Sequence, residues 1–504
     1  MRCNFAVYGF IRQSLAAMGV MMLLDVLLGR PGIPSVEITG MTADSRNVKA
    51  GDIFVAVEGE SHDGHTFIDD AISKGARCIL TSRPVDYSVE DAVVICDQSL
   101  VEKRNELAAR LYGDPSQDIA CIGVTGTNGK TSVAFGLAGL LRSTGFAGTP
   151  GWGMLPDVTH TGLTTMDGIE LQACMAKMRD QGAQRVAMEV SSHALSQDRL
   201  SNVRLQVGIY TNISRDHLDY HGSMAAYEAA KRRMFEDFDL ERAVINIEDE
   251  FGRTLRRLCV ERGIPVTSYG TTRPADVTCE LSSLTIDGAS GLWRTKWGST
   301  PMHLPIRSEF GIANCAAILA TLVHFGTDLE CASRQLAKVE SAPGRFEFVD
   351  LSSKAHAVID YAHTPDALRK TLIALRNLEP SEIICVFGCG GDRDKGKRPL
   401  MGEAAEELAD RIIVTNDNPR TESPEDIADE VLCGMKKPRL ARVELDRECA
   451  IRTAVEETPP DGIVLIAGKG AEQYQDVNGV KHPFSDRDIV DRIRRGERSA
   501  SLVD

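Results

Sequence analysis

The sequence predicts an α/β protein in three domains, the central one on a mostly parallel sheet and the last on a Rossmann-like, doubly wound sheet. Three observations carry this. Short β-branched runs alternate with helical periodicity from about residue 37 onward, the pattern of strands that cross over through helices. The apolar run Ile119–Val124 leads straight into the Gly-rich stretch Gly123–Ser132. Turn clusters at Tyr112-Gly-Asp-Pro-Ser116 and Ser341-Ala-Pro-Gly344 mark breaks, giving expected domains at 1–116, 117–343 and 344–504. A chain of 504 residues has room for them.

Composition narrows the class. With 43% hydrophobic and 26% charged residues the chain is an ordinary globular protein rather than a disordered one. Lys and Arg number 57 against 72 Asp and Glu, a formal charge of -15. Such a chain is a poor general binder of nucleic acid or anionic membrane, though basic loops in a cleft can still take anionic ligands. Thirteen cysteines stand without paired spacing, and Cys385 and Cys389 lack a second pair, so reduced thiols in a cytoplasmic protein are expected. The apolar run Met18–Leu28 is interrupted by Asp25 and too short to span a bilayer. It is read as a first amphipathic helix, with Met21 or Met22 as the expected translation start.

The elements follow in order. Asp52–Val57, Cys78–Leu80 and Ala92–Cys96 read as strands, with a helix over Phe67–Lys74. In the central domain Ile119–Val124 is a strand and Ser132–Leu141 a helix. Further strands are expected at Arg185–Met188, Val207–Tyr210 and Ala243–Asn246, with Tyr227–Phe235 as a helix. The last domain should place strands at Ala357–Asp360, Ile383–Phe387, Arg411–Val414 and Gly462–Ala467, with a helix from Pro365. Phe387–Lys397 imitates a dinucleotide fingerprint, but Arg393 stands where the third Gly belongs, so no Rossmann cofactor loop is expected.

The strongest local signal is Gly123-Val-Thr-Gly-Thr-Asn-Gly-Lys-Thr-Ser132. A strand feeds a Gly-rich turn and then a helix, so backbone N–H groups and the helix N-terminus converge on phosphate oxygens. Lys130 can reach the β- and γ-phosphates and the Thr131 hydroxyl can ligate Mg²⁺. Val124 occupies the position of the first Gly of a strict Walker A loop. The stretch instead resembles the T-G-T-N-G-K-[ST] loop of the Mur ligases and the related folylpolyglutamate synthetases, which activate a carboxylate with ATP for attack by an amine.

That resemblance extends along nearly the whole chain after about residue 35, and it implies roles. ATP would contact Gly126, Thr127, Asn128, Gly129, Lys130, Thr131 and Ser132. Asn314 of Gly311–Ala317 would lie near the adenine, Arg345 would face the phosphates and Asp360 the ribose. Glu189 of Met188–His193 and His217 of Ser214–Asp219 match magnesium ligands, beside Thr131. Lys231 matches a carbamylated lysine, which needs a neutral amine and would turn a cation into an anionic oxygen ligand. Catalysis would thus rest on Lys130, Glu189, His217 and Lys231, and Mg²⁺ and ATP are the expected cofactors. Singly, each of these residues could be a strand-end carboxylate, a helix-start histidine or a solvated lysine; together they carry the reading.

Three further groups match substrate contacts of the family. Ala43, Ser45, Glu60, Ser61 and His62 correspond to uridine-nucleotide contacts, and Thr164, Thr165, Ser191, Gln197 and Arg199 to muramyl-peptide contacts; Leu163 replaces a residue that is polar in many relatives. Asp417-Asn-Pro-Arg420 resembles the tetrad of members that take meso-diaminopimelate, whose second carboxylate suits an Arg fork. Arg393, Gly468 and Glu472 would complete that site, with Ala471 departing from the usual K-G-H-E run. The expected activity is ATP-dependent amide formation on a UDP-muramyl dipeptide, in peptidoglycan precursor synthesis, by a cytoplasmic monomer acting on small molecules without membrane insertion. A lysine-adding Mur ligase, a folylpolyglutamate synthetase-like ligase and a nucleotide-regulated scaffold are the alternatives, disfavoured by Arg420, by the extra N-terminal domain and by the intact Glu189, His217 and Lys231 respectively.

Overall fold

The computed structural model describes residues 21–59, 63–85, 92–97, 99–272, 274–351 and 354–497. Contacts divide the chain into two compact units that do not follow chain order. One takes the chain up to Gly123 with Ser143–Val207 and Asp237–Leu240; the other takes Val124–Arg142, Gly208–Glu236 and the chain from Glu241 onward.

In the first unit Gly40–Thr42, Asp52–Ala56, Cys78–Thr81 and Val93–Cys96 form a parallel sheet in chain order. All five residues of Asp52–Ala56 are buried because both faces are covered. Ile53 and Val55 pack with Leu24, Leu27 and Leu107, while Phe54 and Ala56 pack with Ile68 and Ala71. The expected helix over Met18–Leu28 is shorter in the described residues. Met22 and Leu23 pair antiparallel with Ile38 and Glu37, and only Leu24–Leu28 is helical; strand pairing captures the first two residues before the helix can start. The same unit holds Arg185–Glu189, parallel to Thr144–Gly148, which pairs antiparallel with Gly151–Met154. The helix Gly168–Asp180 is capped by the Asp167 carboxylate, which accepts from the N–H groups of Ile169 and Glu170.

In the second unit the helix Lys130–Leu140 follows the Gly-rich loop. Arg242–Asn246 and Val266–Tyr269 pair in parallel. An antiparallel meander, Val277–Thr285, Gly288–Thr295 and Gly298–Leu304, follows; nothing in the apolar periodicity announced it. The C-terminal sheet has six strands in the order Glu347–Asp350, His356–Asp360, Ile463–Ala467, Ile383–Phe387, Arg411–Val414, Ala441–Val443. All neighbours are parallel except the first pair. Alternation divides its side chains cleanly. Cys385 and Phe387 face the helices Pro365–Arg376 and Lys397–Leu408 through Leu372 and Met401, and Ile384 and Val386 face Arg447–Glu457 and Asp486–Arg494 through Ile451 and Ile489.

One ion pair ties this sheet to its helices. The Arg447 guanidinium donates to both oxygens of Asp486 at 2.8 Å, and both side chains are 0% exposed. Arg447 also donates to the carbonyls of Asn416 (3.1 Å), just beyond the strand Arg411–Val414, and Ala467 (3.0 Å), at the end of Ile463–Ala467; the strand Ile383–Phe387 lies between these two. Removing one partner would leave the other charge buried and uncompensated. Asp486→Ala is therefore expected to cost about 3–5 kcal/mol, read as a lower urea midpoint for the intact chain; an unchanged midpoint would show that Arg447 is satisfied by the carbonyls alone.

Candidate active site

The phosphate loop is held from the side by the segment that follows the strand Leu205–Tyr210. Thr127 N–H donates to the Asn212 carbonyl (2.8 Å), Asn128 N–H donates to Asn212 Oδ1 (3.1 Å), and Thr211 Oγ1 donates to the Asn128 carbonyl (2.6 Å). The Thr127 hydroxyl accepts from Ser214 N–H (3.0 Å) and meets Tyr227 Oη at 3.1 Å. Two glycines make this crowding possible. Gly126 has φ +144°, and a Cβ there would lie 2.0 Å from Thr211 Oγ1. At Gly129 (φ +86°) a Cβ would lie 2.5 Å from Asn314 Oδ1, so Asn314 stands against the loop. Lys130 folds over the turn, its Nζ donating to the carbonyls of Gly126 (3.0 Å) and Thr127 (2.7 Å).

Lys231 reaches the same loop from the helix Met224–Glu236. It is 1% exposed, and its Nζ donates to the Gly126 carbonyl at 2.7 Å and stands 4.5 Å above the Tyr227 ring. Burial, reinforced by the nearby Lys130 charge and opposed by Asp216, holds its ammonium well below the ordinary lysine range. His217 stands at φ +53° at the start of a short turn of helix, its Nε2 3.5 Å from Asp216 Oδ2. Burial disfavours charge on Asp216, but His217, His363 and Lys130 outweigh it and keep the carboxyl below its usual range. The structure thus brings Gly126–Ser132, Asn314, His217 and Lys231 together within the second unit. Tyr227, Asn212 and Asp216 join them without having been singled out from the sequence, since only folding reveals what lies beneath the loop.

A second group gathers in the first unit. Glu189, 1% exposed at a strand end, accepts from Thr149 N–H through Oε1 (2.7 Å), and its carbonyl accepts from Thr165 Oγ1 (2.8 Å). Thr165 Oγ1 also lies 3.2 Å from Ser191 Oγ, and Thr164 Oγ1 accepts from Thr149 Oγ1 at 3.3 Å. Arg199 donates to the Thr165 carbonyl (2.7 Å) and twice to Gln197 Oε1 (2.9 and 2.6 Å). So Thr164, Thr165, Ser191, Gln197 and Arg199 form one hydrogen-bonded patch around Glu189. Leu163 is exposed beside it. Ala43 and Ser45 flank Asp44, whose carboxylate accepts from Arg46 N–H. Glu60, Ser61 and His62 lie outside the described residues.

The third group lies at the carboxyl ends of the C-terminal sheet, in the second unit. Asp360 accepts from Phe346 N–H (3.0 Å) and Thr371 Oγ1 (2.7 Å), and burial raises its pKa. The Arg345 guanidinium lies 4.4 Å over the Tyr361 ring. Asp417 and Asn418 are buried, and Gly468 approaches Asp417 so closely that a Cβ would meet Oδ2 at 2.6 Å. Arg420 adopts φ +52°, and its Nη1 donates to the Gly391 carbonyl at 2.5 Å. The hairpin Tyr474–Val477/Val480–Pro483 fixes this segment. Arg420 N–H donates to Asp476 O (3.0 Å), Asn478 N–H to Arg420 O (2.8 Å), and Gln475 Nε2 to Asp417 O (2.9 Å). Glu472 Oε2 accepts from Asn418 Nδ2 and from the buried Lys469, both at 2.9 Å. Arg393 is exposed.

Magnesium prefers several hard oxygen ligands. In the second unit the Thr131 hydroxyl and a carbamate on Lys231 are of that kind, with the His217 imidazole as a nitrogen donor; in the first unit the Glu189 carboxylate is. Among the described residues no three His, Cys, Asp or Glu side chains cluster for a metal.

Replacing Gly126 by Ala would force a Cβ into the loop's supports and impose positive φ on a side chain, a strain of about 1–3 kcal/mol. ATP affinity by calorimetry is expected to fall about fivefold or more; unaltered affinity would mean that the loop readjusts when nucleotide binds.

Residues 37–111 match the catalytic domain of the Mur ligase family, 124–322 the Mur ligase middle domain and 344–470 the Mur ligase glutamate ligase domain. The UDP-N-acetylmuramoyl-L-alanyl-D-glutamate–2,6-diaminopimelate ligase of Neisseria meningitidis serogroup A is 42% identical, covering 92% of this chain and 97% of its own. The ligase of that name from Coxiella burnetii is 39% identical over 95% of this chain and 98% of its own. A solved structure of such a ligase aligns with a TM-score of 0.65 and 33% identity over 94% of this chain and 99% of that one. Folylpolyglutamate synthase from Mycobacterium tuberculosis, complexed with ADP, shares the fold at a TM-score of 0.59 and 21% identity, over 74% of this chain and 92% of its own. By these matches, spread over all three stretches that carry the site residues, the chain belongs to the Mur ligase family.

Proposed function

We propose that this chain adds meso-diaminopimelate to UDP-N-acetylmuramoyl-L-alanyl-D-glutamate, with ATP converted to ADP and phosphate. The observation that carries the amino-acid choice is the Asp417–Arg420 segment, where Arg420 stands two residues from an Asn418 bonded to the Glu472 carboxylate. A cation and a carboxylate on neighbouring supports suit a zwitterionic distal group, the ammonium on Glu472 and the carboxylate on Arg420. The division into 1–116 for the uridine nucleotide, 117–343 for ATP and 344–504 for the amino acid is part of this reading. So is action as a cytoplasmic monomer; the free thiols of the described cysteines fit a reducing compartment.

The chemistry has two steps. The D-glutamyl γ-carboxylate oxygen attacks the γ-phosphorus of ATP, and the bond to the ADP oxygen breaks. The diaminopimelate amine then attacks the acyl carbon, loses a proton, and inorganic phosphate leaves. Lys130 stabilises charge on the transferring phosphoryl group, and the loop N–H groups orient it. Thr164, Thr165, Ser191, Gln197 and Arg199 hold the muramyl peptide, as Ala43, Ser45, Glu60, Ser61 and His62 hold the nucleotide. Asn314, Arg345 and Asp360 bind the ATP. Arg393, Pro419 and Gly468 line the amino-acid site with Asp417, Asn418, Arg420 and Glu472. Mg²⁺, held by Thr131, Glu189, His217 and carbamylated Lys231, would neutralise phosphate charge.

Phosphate release with the UDP-dipeptide should require meso-diaminopimelate, with L-lysine a poor replacement, and Arg420→Ala should erase the preference; release with lysine alone would sink the role of Arg420. Protein equilibrated with ¹³C-bicarbonate should show one carbamate carbon resonance that disappears in Lys231→Arg. Its persistence there would assign the carbamate elsewhere.

A further inference from the structure

Lys469 is an unusual residue for its place. It lies in the turn after the strand Ile463–Ala467 and is 0% exposed. A buried ammonium is costly unless its protons are satisfied. Here two are spent on the candidate amino-acid site: Nζ donates at 2.9 Å to Asn418 Oδ1 and at 2.9 Å to Glu472 Oε2. The ammonium also stands 5.6 Å from the centre of the Tyr474 ring. Asn418 Oδ1 takes a second bond from Asp476 N–H (2.9 Å), which turns the amide Nδ2 toward Glu472 Oε2 at 2.9 Å. Lysine, asparagine and glutamate thus close a three-membered ring of hydrogen bonds in which every partner is fixed by the other two.

The ring has an electrostatic consequence. Glu472 faces a ligand with one oxygen already bonded twice and its charge matched by a cation that does not leave. Such a carboxylate still accepts an ammonium when that ammonium brings its own carboxylate to Arg420. It has less attraction for a lone ammonium, because the surroundings are already neutral without it. Resting on the assignment of Glu472 and Arg420 made above, we propose that Lys469 is a positioning residue that sets the amino-acid preference. It aims Asn418 and Glu472, and its charge biases the site toward a zwitterionic distal group and against the bare ammonium of lysine.

The test uses the full chain with ATP and the UDP-dipeptide, comparing meso-diaminopimelate with L-lysine. Lys469→Met removes donors and charge; Lys469→Gln keeps donors and removes charge. Both are expected to raise KM for diaminopimelate about tenfold or more with a smaller change in kcat, while kcat/KM for lysine holds or rises, so the ratio of the two moves at least about tenfold toward lysine. An equal fall for both amino acids overturns the proposal, since that is what a merely structural lysine would give, as do variants indistinguishable from the wild type. If Lys469→Met fails to fold by its melting curve, the ratio for Lys469→Gln decides. A wild-type chain that does not use diaminopimelate at all refutes instead the assignment on which the proposal stands.

Discussion

Parallel strands deliver their carboxyl ends to one edge of a sheet, and the candidate site residues sit at those ends or in the loops just beyond them. The phosphate loop begins where Ala120–Thr125 stops, Glu189 closes its own strand, and Thr211 and Asn212 come directly after Leu205–Tyr210. In the C-terminal sheet Asp360 ends one strand, while Gly388, Asp417 and Gly468 lie just beyond three others. The hydrogen-bonded ladders set where each loop starts, and the residues at its start inherit that placement.

Buried cations do the finer alignment. Lys231 grips the Gly126 carbonyl, Arg447 grips Asp486 with the carbonyls of Asn416 and Ala467, and Lys469 grips Asn418 and Glu472. Each lies beside a segment that carries residues of the proposed site. Burial of charge contributes little net stability, but it penalises every arrangement in which the partner moves away. Lys231 differs from the other two. Its burial, reinforced by the neighbouring Lys130 charge, favours the uncharged amine that a carbamate requires.

Much of this was legible in the sequence where local chemistry decides it. Ile383–Phe387 and Arg411–Val414 are strands at their expected bounds, because runs covered on both faces must be continuously apolar. The phosphate loop was legible because its glycines are irreplaceable at their backbone angles. The meander Val277–Thr285 to Gly298–Leu304 was not. Its first strand reads VTCELSSLT and is largely exposed, so cross-strand pairing rather than an apolar run defines it. Asp287-Gly288 at one turn and Asn478-Gly479 in the later hairpin were the available signals. Likewise Lys231 meets a carbonyl 105 residues away, and Lys469 was only part of a K-G-A-E run; no spacing rule reports which lysines end up buried.

The hairpin at Tyr474–Pro483 separates backbone from side chain at the residue it supports. Its turn residues Asn478 and Gly479 stand at φ +52° and +79°, and its main chain bonds both the N–H and the carbonyl of Arg420. The backbone at position 420 is therefore set by partners that do not depend on the side chain it bears. Such a position is a socket: the scaffold stays rigid while the group it presents can be exchanged. On the function proposed above, a change of side chain there would alter the group offered to the amino acid while the main chain keeps its partners, within what a backbone at φ +52° tolerates.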